Sequence, residues 1–571
     1  MKPTSTSEPT GTRESARKTH EVLNQPPPLK DYNLYLTDTA LVEAVRREGA
    51  DWAAPQLRAL GEFLGTEEAQ RWGFEANENE PVLRTHDRYG YRRDEVEFHP
   101  SWHKLVRTSI ENRLHSLPWL ETRTGAHVAR AALLMLTAQN EVGHTCPISM
   151  TFSAIAALRA DSELAAEWEP RILSPVYDPR VLPAPEKSGV LVGMGMTEKQ
   201  GGSDVRANTT RAERVGNSRE YLITGHKWFC SAPMCDGFLI LAQAPKGLSC
   251  FLLPRWTPAG ERNALHLQRL KRKMGNRSNA SSEVEFEGAC ARLVGEEGRG
   301  VQTIIEMVNC TRLDCAVAAT ALMRAAVVQA VHHAKHRRAF GKLLIEQPLM
   351  QSVLADLIVE SEAATLLAVR VARAFDALRS NERERSFARI ATAIGKYWLC
   401  KRAPTHVGEA LECLGGNGYV EESIMPRLYR EAPLYSIWEG SGNVVCLDVL
   451  RTLAREPQAS QAMMDEILLG VNADTRLKTA ASELESILRK YTRVASEKTV
   501  NDSQCEARRL TERAALLLQA SLLLRHGAPA VADAFIASRL CGEGGWTFGT
   551  LPAGTKLKPI LERVHNDFAK E

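Results

Sequence analysis

The chain has 571 residues, with 72 Lys plus Arg against 69 Asp plus Glu and a net charge of +3. It is too long for one core, so three or four domains are expected, and its near balance of charge neither demands nor excludes a nucleic-acid partner. The twelve cysteines form no CxxC pair and no Cys/His zinc spacing, which argues for reduced thiols, a cytoplasmic protein and no metal site.

In chain order, residues 1 to about 30, rich in Ser and Thr and closed by Pro26, Pro27 and Pro28, are expected to form a mobile tail. The first twenty residues lack the apolar core of a secretory signal, and no apolar stretch is expected to reach the length of a membrane span. From 31 to 185, apolar residues recur at three- and four-residue steps, as in VARAALLMLTAQNEVG, which predicts a helical domain. Between 186 and 300 the pattern shifts to short runs such as VLVGMGM, YLITGHKWF, GFLILAQA, LSCFLLP and SEVEFEG, separated by turn residues. These predict a small antiparallel β-domain. The helical period returns from 301 to 455 in segments near 301–337, 348–379, 383–414 and 441–455, a predicted four-helix bundle. A helical extension, clearest at CEARRLTERAALLLQASLLLRH, fills 456–571. The fold class is α+β, mainly α.

Two glycine-bearing runs stand more than two hundred residues apart, GMTEKQGGSDVRA at 195–207 and ECLGGNGYVEESIMPRLYRE at 412–431. In this order and spacing they resemble the acyl-CoA dehydrogenase family, and the pattern helical domain, β-domain, helix bundle agrees with that resemblance. The resemblance implies bound FAD. In the first run the Met196 backbone and the Thr197 hydroxyl would face the flavin ring. Gly201, Gly202 and Ser203 would admit main chain to the phosphates, where a Cβ would block the approach. In the second run Gly415, Gly416 and Gly418 would lie against the dinucleotide, followed by Glu422, Arg427 and Glu431 at charged family positions. GHKWFCSAP (225–233) matches the segment whose aromatic packs on the flavin and whose hydroxyl reaches its N5 edge, placing Trp228, Phe229 and Ser231 in the pocket.

HRRAFGKLLIEQPL (336–349) is similar to the segment that reaches the flavin of a neighbouring subunit, with Arg337 and Phe340 at the matching positions. A guanidinium fork suits a pyrophosphate, and the cross-subunit contact implies a homo-oligomer, by resemblance a tetramer. SIWEGSGN (436–443) aligns with the segment carrying the catalytic carboxylate, which assigns Glu439 as the base. A base must take the α-proton of an acyl-CoA thioester while the β-hydride leaves to the flavin. Gly440, Ser441 and Asn443 would complete the pocket. Trp438 stands where the family more often has tyrosine, and its indole could narrow the acyl channel.

The match is closer to the AidB-like branch of the family, flavoproteins of the bacterial defence against DNA alkylation, through NQPPPLKDYNLYLTDTALVEAV, KMGNRSNASSEVEF and RLYREAPLYSIWEGSGNVVCLDVLR. That branch implies double-stranded DNA binding through the extension and weak acyl-CoA desaturation. Composition lends this little support, since 456–571 holds fifteen Lys plus Arg and fifteen Asp plus Glu. Candidate phosphate contacts are Arg451, Arg508, Arg509, Arg513, Arg525 and Arg539, with Lys556 and Lys558 following. Two alternatives stay open: a metabolic acyl-CoA dehydrogenase using the extension for oligomerisation, and a flavin oxidase or monooxygenase on the same fold.

Overall fold

The structure, a computed structural model, describes residues 19–493 and 504–564. Its N-terminal part is built from α1 (Thr39–Arg47), α2 (Ala54–Leu64), α3 (Glu67–Glu78), α4 (Pro100–Glu111), α5 (Leu117–Leu120), α6 (Ala126–Asn140), α7 (Thr145–Leu158) and α8 (Ser162–Ile172). Asp38, Thr66 and Asp161 start α1, α3 and α8 by accepting the backbone N–H of Leu41, Ala69 and Leu164, which satisfies donors a helix start otherwise leaves orphaned. α6 and α7 are buried around nearly their whole circumference. A hairpin, β1 (Val82–His86) with β2 (Arg92–Glu97), interrupts the stretch expected to be helical.

Seven strands follow: β3 (Val192–Gly195), β4 (Arg211–Arg214), β5 (Glu220–Ser231), β6 (Gly237–Ala244), β7 (Gly247–Pro254), β8 (Leu265–Leu270) and β9 (Ser281–Val294). Pairings run β6-β4-β5-β9-β7 and return from β7 to β6, closing a ring that β3 and β8 flank. Antiparallel pairing predominates, as expected, while β3 and β4 each pair parallel with β6. β6 lies at that junction, so its run GFLILAQ is apolar on both faces and buried almost throughout.

The bundle comprises α9 (Gly300–His336), α10 (Pro348–Asp376), α11 (Glu382–Glu412) and, after the short α12 (Met425–Glu431), α13 (Gly442–Arg455). Asn381 starts α11 by accepting from the Arg383 and Glu384 N–H groups. α9 corrects the expectation that no segment reaches membrane-span length: by length and composition it does, but 94% of its apolar window is buried inside the fold. It is the central helix, and the buried two-bond pair of Arg130 with Asp314 (2.5 and 2.8 Å) ties it to α6.

The extension begins with α14 (Pro457–Leu468) and α15 (Thr475–Arg493), continues in the helix Ala507–His526 and is fused to the bundle. Leu517, Leu518, Leu522 and Leu523 are fully buried, and Gln519 accepts from the indole N–H of Trp398 on α11 (2.8 Å). Arg370 of α10 bridges Glu384 and Glu466. Ending the chain near Pro457 would therefore uncover core rather than release a module.

The tail expectation also changes. Residues 1–18 lie outside the described residues, but residues 24–29 are a docked strap. The Asn24 side chain donates to the Arg338 carbonyl (2.9 Å) and accepts the Arg338 N–H (2.7 Å), and Arg337 donates to the Asn24 carbonyl (2.5 Å). The Pro27 carbonyl meets His332, and Leu29 is buried.

Candidate active site

The loop after β3 hangs on β5, because the Trp228 N–H donates to the Thr197 carbonyl (2.8 Å) and Asn208 donates to the Met196 carbonyl (3.0 Å). A Cβ at Gly202 would stand 2.3 Å from the Thr197 hydroxyl, so only glycine fits there. Met196 and Thr197 are half-buried and Ser203 is exposed on this shelf, with Trp228, Phe229 and Ser231 beside them on β5. Beneath it Lys227 and Glu198 form a fully buried ion pair at 2.7 Å. Lys271 holds its ammonium 3.5 Å from the Trp228 ring centroid, a cation–π contact.

Glu439 sits between α11 and α13 with φ +56°, a left-handed conformation that costs a non-glycine residue about 1–3 kcal/mol. Two cations grip its backbone. Arg312 of α9 donates to the Glu439 carbonyl (3.0 Å) and to Asp448 (2.7 Å), and Lys396 of α11 donates to the Gly440 carbonyl. Oε2 of Glu439 is enclosed and has no hydrogen-bond partner among the described residues. Burial pushes its carboxyl above 4.5, while the Thr311 hydroxyl, Arg312 and Lys396 draw it back. The thiol of Cys146 faces Ser231, Asn279 and Glu439 from α7, and burial pushes it up to about 12. Trp438 packs edge-on against Tyr435 with centroids 6.1 Å apart.

A polar wall backs this site. Glu141 accepts the His144 ring N–H (2.8 Å), the His144 backbone N–H (2.9 Å) and the Ser278 hydroxyl (2.7 Å). Burial alone would raise its pKa, but those bonds bring it to about 2. Arg427 and Glu431, four apart on α12, are both buried; Glu422 is exposed. Burial, then the Glu141 charge, lifts the Glu431 carboxyl from 4.5 to about 7, and the Asn276 N–H (2.7 Å) only partly opposes them. Because the folded pKa is raised, this group's stabilising contribution is complete below pH 4.5 and is lost as pH climbs through about 7. Glu431→Gln is expected to remove roughly 3 kcal/mol of pH-dependent stability across that window. Urea unfolding at several pH values measures it, and a slope equal to the parent's would refute the assignment.

Arg337, Phe340, Gly415 and Gly416 gather elsewhere. Arg337 touches the strap at Asn24, and Asn417, next to the glycine pair, donates to Gln25 (3.3 Å). Arg312 and Arg337 are 25 positions apart along α9 and its cap, about 37 Å at the helical rise. Phe340 is 98% exposed at φ +52°. Arg337 and Phe340 therefore cannot reach the pocket of their own Glu439.

The glycine positions fit a dinucleotide. A Cβ at Gly201, Gly415 or Gly416 would meet nothing within 4 Å among the described residues, so the backbone there is open to a ligand. Gly440 (φ +101°), Ser441 and Asn443 lead into α13, whose first N–H groups suit an anion. Arg508, expected on DNA, instead donates to Asn443 (2.8 Å), bringing the extension to this corner.

Two of the expected DNA contacts are corrected outright. Arg525 is bound to buried Glu466 (2.6 Å), and Arg539 to Asp356 and Glu360, both nearly fully buried. Moving Arg525 or Arg539 to a phosphate would take one of two guanidinium partners from buried Glu466 or Glu360, a costly loss for a buried carboxylate. Arg513 bridges to Glu483 (2.9 Å), whereas Arg451 and Arg509 are exposed, as are Lys556 and Lys558. Sequence reasoning missed Lys396, Arg312, Cys146 and the Lys227–Glu198 pair; a lysine inside the apolar run ATAIGKYWLC was the available signal.

Comparison with known proteins covers nearly the whole chain. The model of the adaptive response protein AidB N-terminal domain matches residues 24–179, that of the acyl-CoA dehydrogenase middle domain 193–289, and that of the acyl-CoA dehydrogenase C-terminal domain 298–454. The putative acyl-CoA dehydrogenase AidB of Escherichia coli K12 is 46% identical over 92% of this chain and 96% of its own. Acyl-CoA dehydrogenase family member 11 of Caenorhabditis elegans is 30% identical over 90% of this chain and 88% of its own. The crystal structure of C. elegans ACDH-11 in complex with C11-CoA covers 98% of this chain and all of its own at TM-score 0.82 and 27% identity.

Proposed function

We propose that this chain, which belongs to the acyl-CoA dehydrogenase family, is an AidB-like FAD-dependent oxidoreductase that desaturates an acyl-CoA thioester with Glu439 as base. The observation that carries this reading is the Glu439 carboxyl itself, its Oε2 enclosed and its turn gripped through the Glu439 and Gly440 carbonyls by Arg312 and Lys396. The α-proton passes to a Glu439 oxygen, and the α,β double bond forms from the electrons of that C–H bond as the β-hydride departs. FAD, when bound, supplies the two-electron acceptor for that hydride. Met196, Thr197, Gly202, Ser203, Trp228, Phe229, Ser231, Gly440, Ser441 and Asn443 would hold and orient the cofactor. The C. elegans structure with C11-CoA supports a long acyl chain as the substrate class. Anaerobic mixing with C11-CoA should bleach the flavin absorbance; no bleaching by any chain length, with rapid peroxide formation in air, would favour an oxidase instead.

The same reading makes the protein a homotetramer in the cytoplasm, acting in the alkylation response. Arg337 and Phe340, about 37 Å along the helix from Arg312, suit a pocket on a second subunit, and Gly415 and Gly416 lie at the same end. Nine buried cysteines that form no disulfide among the described residues suit a reducing compartment. Duplex DNA is the proposed partner of the extension, through exposed Arg451 and Arg509 with Arg508 beside them. In fluorescence anisotropy the full chain should bind duplex DNA with a steep salt dependence, and Arg451→Ala/Arg509→Ala should lower the salt slope by about two. Binding unchanged by that variant would move the contact elsewhere, and no binding at low salt would leave a metabolic dehydrogenase.

A further inference from the structure

Lys396 is 1% exposed on α11, and its ammonium donates to the carbonyl of Gly440, the residue after the base. Taking an ammonium out of water costs several kcal/mol, and one carbonyl is a poor replacement for its hydration. The position makes sense through what the carbonyl belongs to. Glu439 and Gly440 adopt consecutive positive φ values, +56° and +101°, a turn that persists only when its surroundings over-determine it. Arg312 fixes the Glu439 carbonyl, and Arg312 is itself held by Asp448, which Arg389 also binds (3.0 Å). Lys396 fixes the next carbonyl from the opposite helix. Without it the turn has one anchor, and the carboxyl can swing about the peptide between the two residues.

We propose that Lys396 is a positioning residue for the base, locking the left-handed Glu439–Gly440 turn so that the carboxylate stays aimed at the α-carbon of the acyl thioester. This rests on the reading of Glu439 as the base. Its positive charge also acts through space on that carboxyl, which faces Arg312 and Asp314 of α9 as well, with the thiols of Cys146 and Cys315 near it. Removing the charge takes away one of the two cations that favour the ionised form.

The test uses the FAD-loaded full chain and C11-CoA, with two rates read: flavin bleaching, and anaerobic exchange of the α-protons for deuterium in heavy water, which needs the base but no electron transfer. Lys396→Met is expected to retain FAD and to bind C11-CoA within threefold of the parent. Its exchange should fall about a hundredfold, and the acid limb of its pH profile should move up by about one unit. Should Lys396→Met not fold, Lys396→Gln keeps a donor without the charge and should show the same limb shift. Exchange within about threefold of the parent and a limb that does not move measurably, in a folded and loaded variant, would overturn the proposal. So would a loss matched by an equal loss of C11-CoA affinity, which marks a pocket wall. Glu439→Gln run alongside separates the two readings: exchange surviving there removes the base itself, whatever Lys396 does.

Discussion

Glu439→Gln should leave a yellow, folded protein that binds C11-CoA as the parent does but reduces its flavin about a thousandfold more slowly, within the range general-base removal commonly costs. The amide is the same size as the carboxyl, and the anchors at this turn, Arg312 and Lys396, bind backbone carbonyls rather than the side chain. Geometry should therefore survive while proton affinity is lost. Other groups near the site are poor substitutes at neutral pH. Burial pushes the Cys146 thiol up to about 12 and the Cys315 thiol and Tyr435 hydroxyl well above their ordinary values, so all three stay protonated. Because the carboxyl lies above 4.5 through burial, the parent's reduction rate should climb with pH as Glu439 ionises, and the variant should lose that limb. Stopped-flow absorbance under nitrogen measures both; a variant rate within tenfold of the parent's would assign the proton to another group.

The run at 195–203, the WF pair on β5 and the carboxylate of Glu439 stand out in sequence as candidates because the chemistry they offer is local. Glycines beside a hydroxyl, an aromatic beside a serine and a carboxylate in a fixed tetrapeptide keep their spacing whatever the rest of the chain does. What holds them was not legible, because it comes from far away. Lys396 and Gly440 are 44 residues apart, and Arg312 lies 127 residues from Glu439. Nor does a sequence announce that Glu439 takes a positive φ, since that depends on both anchors at once.

Charge was the least readable property. Arg525 and Arg539 looked available because acids are sparse around them in sequence, yet their partners Glu466 and Glu360 lie 59 and 179 residues away. The Pro-rich start reads as a tail on composition, but composition says nothing about Asn24 meeting Arg338, 314 residues later. Strands β4 and β8 escaped notice for a different reason. RAER and LHLQRL are short and carry few apolar residues, so neither offers a run of β-branched or aromatic residues long enough to stand out.

The second large effect is expected under the shelf rather than in it. Lys227→Met should cost about 3–5 kcal/mol, the range for breaking a buried pair from one side. Both partners are fully buried; Glu198 receives Lys227 (2.7 Å) and the N–H groups of Thr209 (2.7 Å) and Thr210 (3.2 Å), and Lys227 also donates to the Leu241 carbonyl (2.8 Å). Burial works to raise the Glu198 pKa, and Lys227 is the first of the groups that instead bring it to about 2. A depressed folded pKa gives stability present above about pH 4.5 and lost as pH falls toward 2. Removing Lys227 should flatten that acid slope as well as lower the plateau. Glu198 directly follows Thr197, so a carboxylate left without its counter-ion should disturb the loop that carries Met196, Thr197 and Gly202 and weaken FAD retention. Lys227→Met/Glu198→Leu removes both charges together, and buried pairs replaced by apolar side chains often regain stability. The double variant should therefore recover much of the lost stability but little FAD affinity, because the Thr209 and Thr210 N–H groups lose their acceptor. Urea unfolding of the apoprotein and flavin fluorescence titration separate the two quantities. Full recovery of both in the double variant would show that the pair supports the barrel alone and that the shelf stands without it.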